Sequence, residues 1–149
     1  MTTFVFDETV PLLPGSVDSA ALGTASPKYG QTEVNKPVKL AAGDSYVLVA
    51  DGDDLEAMIG AIAPHTVNSG KAFGSVQVRF KHLRVINKGA AALAVGATVV
   101  CAAQEALGTA QEAPYVKAGA GAVFKWRVKS LLGGAGAVGT AVLVEPLTR

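Results

Sequence analysis

Gly134-Ala135-Gly136-Ala137-Val138-Gly139 has the spacing of a dinucleotide-binding turn. In such a turn the glycines let a strand-to-helix corner approach a pyrophosphate, and the helix N-terminus faces the anion. Only ten residues follow Gly139, and they read as a strand, so neither the crossover helix nor the acidic residue about twenty positions on can follow. The match is accidental. Asp51, Asp53, Asp54 and Glu56 form an acidic run of the kind that ligates calcium. A twelve-residue calcium loop starting at Asp51 needs glycine at its sixth position and glutamate at its twelfth, where this chain has Glu56 and Ile62. A solvated turn accounts for the run, because Asp and Gly are common turn residues, and a cation shared between subunits stays open.

Nucleophilic and metal chemistry find little to work with. His65 and His82 are the only histidines, and neither has Cys, Asp or Glu at ligand spacing. Cys101 lies in the apolar run Val99-Val100-Cys101-Ala102-Ala103, where cysteine packs as a small hydrophobe. A Cys–His pair would need tertiary proximity that the sequence does not supply. No paired carboxylates stand where one would be held protonated. Lys71-Ala72-Phe73-Gly74-Ser75-Val76-Gln77-Val78 partly matches the base-stacking strand of an RRM domain, but only Phe73 occupies an aromatic position and the two helices are missing. The reading is therefore a non-enzyme with no cofactor and no metal. Trp126 stands on an alternating strand as a core residue, with an interface anchor as the alternative.

The elements that must carry these residues are small-residue strands. The chain has 149 residues, half of them hydrophobic, with 26 alanines and 17 glycines against nine aromatics. Glycine weakens helix interiors by about 1 kcal/mol relative to alanine, so Val/Leu runs punctuated by glycine favour short strands and tight turns. The longest uncharged stretches, 89–104 and 130–144, fall short of the ~20 residues of a membrane-spanning helix and are broken by glycine. Met1-Thr2-Thr3-Phe4 lacks the basic and apolar regions of a secretory signal, and a lone cysteine fits a reducing compartment. Synthesis in the cytoplasm follows. Charge is split, −6 over residues 1–70 and +7 over 71–149. Such polarity serves head-to-tail association of subunits, or is neutralised within one fold.

Residues 1–36 show no sustained period and carry Pro11, Pro14, Gly15, Pro27 and Gly30, which reads as an extended N-terminal arm. Phe4 and Phe6 would anchor it on a neighbouring subunit. Residues 37–149 read as one β-rich domain. Val38–Leu40 and 46–49 are strands; 55–63 fits either a helix or a strand, with Gly60 and Pro64 favouring the strand. Val76, Val78 and Phe80 alternate with Gln77, Arg79 and Lys81, and 83–86 continues that strand. Further strands fall at 97–101, 115–117, 122–129 and 140–145, with 133–139 as a flexible connection. Seven or eight short strands define an all-β fold, a small sandwich or barrel of antiparallel strands. The outward faces of two strands carry Arg79, Lys81, Lys125, Arg127 and Lys129, candidate partner contacts without the clustered tail that nucleic-acid binding favours.

Val38-Lys39-Leu40-Ala41-Ala42-Gly43-Asp44, Ile62-Ala63-Pro64-His65-Thr66-Val67-Asn68-Ser69-Gly70 and Phe73-Gly74-Ser75-Val76-Gln77 together resemble the head decoration, or capsid cement, proteins of tailed bacteriophages. Val95-Gly96-Ala97-Thr98-Val99 and Gly139-Thr140-Ala141-Val142-Leu143-Val144 extend the resemblance to about residues 37–145. It implies a structural virion protein that binds the outer surface of an assembled capsid, with the major capsid protein as partner, and reinforces the shell against internal DNA pressure. It also implies a homo-oligomer, trimer ahead of dimer, on the capsid surface, with no membrane and no specific nucleic acid as partner. Another phage structural subunit (tail tube or head completion) and a small β-barrel binding module are the alternatives.

Overall fold

The computed structural model describes residues 4–5, 13–18, 35–41, 45–59, 65–66, 71–77, 81–106, 109–119 and 126–147. Every regular element among them is a strand, so the fold is all-β, and none is a helix long and apolar enough to cross a membrane. The strands are β1 (Phe4–Val5), β2 (Leu13–Asp18), β3 (Pro37–Ala41), β4 (Ser45–Leu48), β5 (Ala57–Ile59), β6 (His65–Thr66), β7 (Lys71–Gln77), β8 (His82–Asn87), β9 (Thr98–Cys101), β10 (Tyr115–Ala118), β11 (Trp126–Ser130) and β12 (Ala141–Pro146).

The C-terminal strands close into a five-stranded barrel in the order β8-β10-β9-β11-β12 and back to β8. Four contacts are antiparallel, and β8–β10 is parallel. Closure removes the sheet edges that would otherwise pair with other chains. Period-two alternation fills the interior: Leu83 and Val85 from β8, Val99 and Cys101 from β9, Val116, Trp126, Val128, Val142 and Val144 are all buried in one cluster. Each end is stopped by a leucine from a connection, Leu93 at one and Leu55 at the other.

Leu55 arrives from the N-terminal part of the chain. The segment 49–55 runs along the C-terminal end of β9, where the Gly52 N–H donates to the Cys101 carbonyl (2.9 Å) and the Cys101 N–H to the Asp53 carbonyl (2.8 Å). The Trp126 indole donates to the Leu55 carbonyl at 2.6 Å. Trp126 is thus a core residue whose polar atom fixes the plug, in keeping with the need of a buried indole for a partner.

Apart from β1, which joins the barrel sheet, the remaining strands form a second sheet, β2-β4-β3-β5-β7-β6, in which β2 also pairs with β7. The segment read as an arm therefore contains two strands. β1 lies antiparallel on β8 (Phe4 opposite Leu83), and β2 lies antiparallel along β7 from Leu13 opposite Val76 to Asp18 opposite Lys71.

Two expectations are redrawn. The 55–63 stretch contributes strand at Ala57–Ile59, while Leu55 leaves that pattern to fill the barrel. The alternation read as one strand through 76–86 is divided: β7 ends at Gln77, Lys81 is a bend, and β8 belongs to the other sheet. The parity of the sequence carries the reason. Val76, Val78 and Phe80 sit at even positions whereas Leu83 and Val85, which fill the barrel, sit at odd ones, and one strand cannot put both sets on one face.

Candidate docking surface

The connections 88–97 and 131–140 leave the barrel from the same end. Both follow strands that run one way (β8 and β11) and precede strands that return (β9 and β12), opposite the end plugged by Leu55. Asn87, fully buried at the end of β8, ties them together. Its amide donates to the carbonyls of Ala91 (2.9 Å) and Gly136 (2.8 Å), and its side-chain oxygen accepts from the Gly89 N–H (2.9 Å). Its backbone bonds Thr140 and Gly139. The Leu93 N–H donates to the Gly136 carbonyl (2.9 Å), and the Gly96 N–H to the Val128 carbonyl (2.8 Å). A buried amide with every partner supplied fixes a loop pair in one arrangement.

The glycine motif belongs to this construction. Gly136 has φ +66°, and a Cβ there would stand 2.0 Å from the Leu93 carbonyl oxygen. Gly133 and Gly139 also lie in the left-handed region, as do Leu132 and Ala135. The spacing that mimics a phosphate-binding turn thus builds a close loop crossing, and 133–139 is a hydrogen-bonded turn rather than a flexible connection: Gly134 N–H to Leu131 carbonyl, Thr140 hydroxyl to Ala137 carbonyl.

What this rigid end presents to solvent is apolar. Val95 (63% exposed), Val138 (51%) and Leu132 (49%) project from it among exposed Ala90, Ala91, Ala92, Ala94, Ala135 and Ala137. Neither connection holds an ionisable side chain after Lys88, which stands over the Tyr115 ring at 4.8 Å. Exposed apolar side chains gathered at one end of a fold mark contact sites. A rigid end loses little conformational entropy on binding.

The basic residues proposed from the strand faces are distributed differently. Lys81 is exposed at the bend before β8. Arg127 and Lys129 share an outer face of β11, but Glu145 on β12 lies opposite Arg127 and pairs with both, at 3.0 Å and 3.7 Å. The Lys129 ammonium also meets the His82 ring nitrogen at 2.6 Å. The Arg127 hydrogen bond holds the Glu145 carboxyl below its ordinary range, so this patch is a mixed-charge network. Phe4 is placed by its strand pairing with β8. Phe6, Arg79 and Lys125 lie outside the described residues.

The acidic run is used in turn geometry and ion pairs. Asp53 accepts from the Ala50 N–H (2.7 Å) and pairs with Lys39 (2.7 Å); Asp51 pairs with Lys117 at 2.5 Å. Burial pushes the Asp53 carboxyl up, but the bonds from Lys39 and Ala50 outweigh it and its pKa lies below the ordinary value. Lys117–Asp51 joins the acidic and basic halves of the chain, whereas Arg84–Glu112 (2.5 Å) and the Glu145 network lie within the basic half. Cys101 is fully buried; desolvation, with Asp53 and Asp54 adding, pushes its thiol up to about 12. That keeps it protonated and unreactive. Among the described residues no group of three or more His, Cys, Asp or Glu is gathered to hold a metal ion.

No family model, curated protein or solved structure matches this chain.

Proposed function

We propose that the chain is a structural subunit that docks through the uncharged end of its C-terminal barrel onto an assembled protein shell. Specifically, it decorates the outer surface of a tailed-phage capsid and stabilises it. The observation that carries the docking reading is the pre-set apolar end bearing Val95, Leu132 and Val138. The phage capsid as partner rests on the resemblance of residues 37–145. A shell offers many copies of one site, so modest contacts multiply into firm attachment. On this reading the major capsid protein is the partner, the protein self-associates (trimer ahead of dimer), and it resides on the virion surface.

Co-sedimentation with shells assembled from a tailed-phage major capsid protein tests the proposal. Wild-type protein is expected in the shell fraction. The variant V95D/L132D/V138D is expected to bind at least about 100-fold more weakly, since each apolar side chain is worth about 1.5–3 kcal/mol when buried. Its melting temperature should stay within a few degrees of wild type. Wild-type protein left in the supernatant, or a folded variant that binds as well as wild type, overturns the reading.

A further inference from the structure

We infer that copies of this chain associate side by side and head to tail, the basic outer face of β8, β12 and β11 in one copy seating the acidic turn 51–56 of the next. The two faces belong to opposite walls of one barrel. In the closed order β8-β10-β9-β11-β12, the β9–β10 pair stands across the barrel from β12.

On the β12 wall, Arg127 and Lys129 alternate with buried Trp126 and Val128, so both point outward. Glu145 stands opposite Arg127, and the Leu83–Val144 pair places His82 beside Glu145 on the other flank. Lys81 is exposed at the bend before β8. Three cations, Lys81, Arg127 and Lys129, thus share this wall with Glu145, while Arg84 on the same face is matched by Glu112 (2.5 Å). On the opposite wall, the Gly52 N–H and the Asp53 carbonyl bond Cys101 at the end of β9, and the Cys101 thiol donates to the Asp54 carbonyl (3.6 Å). Asp51 reaches Lys117 on β10. Asp51, Asp53, Asp54 and Glu56 all push the Cys101 thiol upward, which places the four acids together around that strand end. Lys39 and Lys117 pair with two of them, so acids outnumber lysines on this wall.

Excess positive charge on one wall and excess negative charge on the opposite one are complementary between copies. Such a contact uses different surfaces on the two partners, so it does not stop at two copies. Both faces sit at the plugged half of the barrel. Arg127 follows Trp126, whose indole bonds the Leu55 carbonyl, and the turn 51–54 leads into Leu55. Copies joined at that height stand with their barrels side by side, and the uncharged ends bearing Val95, Leu132 and Val138 face one way. A shell surface then meets several ends at once, each further contact forming at high effective concentration.

The contact deepens the proposed self-association and rests on it, and it is tested without shells, so its failure leaves shell docking standing. Sedimentation velocity is run on full-length protein in 0.1 M and 1 M salt, which shortens the screening length from about 10 Å to about 3 Å. Wild type is expected to form species larger than a dimer in 0.1 M salt, with an association constant about tenfold lower in 1 M. R127E/K129E and D51K/E56K, each checked for folding by circular dichroism, are expected to be monomeric alone. Mixed one to one they are expected to associate, because the native acidic turn of the first meets the native basic face of the second. Wild type that stays monomeric overturns the contact and leaves the basic face to another acidic partner. A mixture that stays monomeric, or single variants that associate as wild type does, overturns it as well. Where R127E/K129E fails to fold, Glu145→Gln replaces it. Removing that carboxylate from the basic face is expected to tighten association about threefold, and unchanged or weaker association overturns the contact.

Discussion

Gly136 shows how little of a residue's role its motif reveals. Its spacing to Gly134 and Gly139 is that of a phosphate-binding turn, yet the close approach it permits is to the Leu93 carbonyl of a neighbouring loop. Replacing it with alanine adds left-handed strain and a steric overlap, so Gly136→Ala should cost about 3 kcal/mol in urea denaturation. A cost under about 1 kcal/mol would mean the loops cross more loosely than described. Asp53 gives a pH signature. Its folded-state pKa is depressed, so its contribution is full above the unfolded value of about 4 and fades as pH falls through the folded one. Asp53→Asn should therefore lower stability by about 1 kcal/mol at neutral pH, and the gap to wild type should close in acid. A gap independent of pH would assign the loss to something other than the carboxylate. Cys101 was legible as a small core hydrophobe from its apolar run. Glu145 was not legible as the partner of Arg127, since a cross-strand neighbour is set by register and not by the sequence around either residue.

At the scale of elements, alternation placed β12 within a residue and the C-terminal end of β11 likewise, because one face of each is buried in the barrel, whereas it ran β8 together with the strand before it. The 55–63 stretch resisted reading for a physical reason. Leu55 plugs a barrel formed by strands from elsewhere in the chain, so its burial owes nothing to local periodicity. The plug makes barrel stability depend on the N-terminal unit. Leu55→Ala should destabilise the barrel by about 2–5 kcal/mol, the range for emptying a packed leucine site. Trp126 is the chain's one tryptophan and its indole bonds the Leu55 carbonyl, so its fluorescence reports the loss directly. Unchanged denaturation of Leu55→Ala would show that the segment 49–55 only rests against the barrel.

For the whole molecule, the two uncharged stretches 89–104 and 130–144 were visible in the sequence, where they served to argue against a membrane-spanning helix. Their convergence on one end of a barrel required the strand order, which no single segment encodes. The same holds for the pairing order that β2, β3, β4, β5 and β7 share with β8 to β12, which no local pattern announces because a small β core accepts any apolar residue of suitable size. Charge polarity between the halves was legible, and part of it is consumed at Lys117–Asp51. The central claim is that the apolar end meets the shell. A cryo-electron-microscopy map of decorated shells tests it most directly. The account predicts Val95, Leu132 and Val138 in the contact with the shell, with the mixed-charge face of Arg127, Lys129 and Glu145 turned away from that contact centre. A map in which 88–97 and 131–140 face solvent would contradict it.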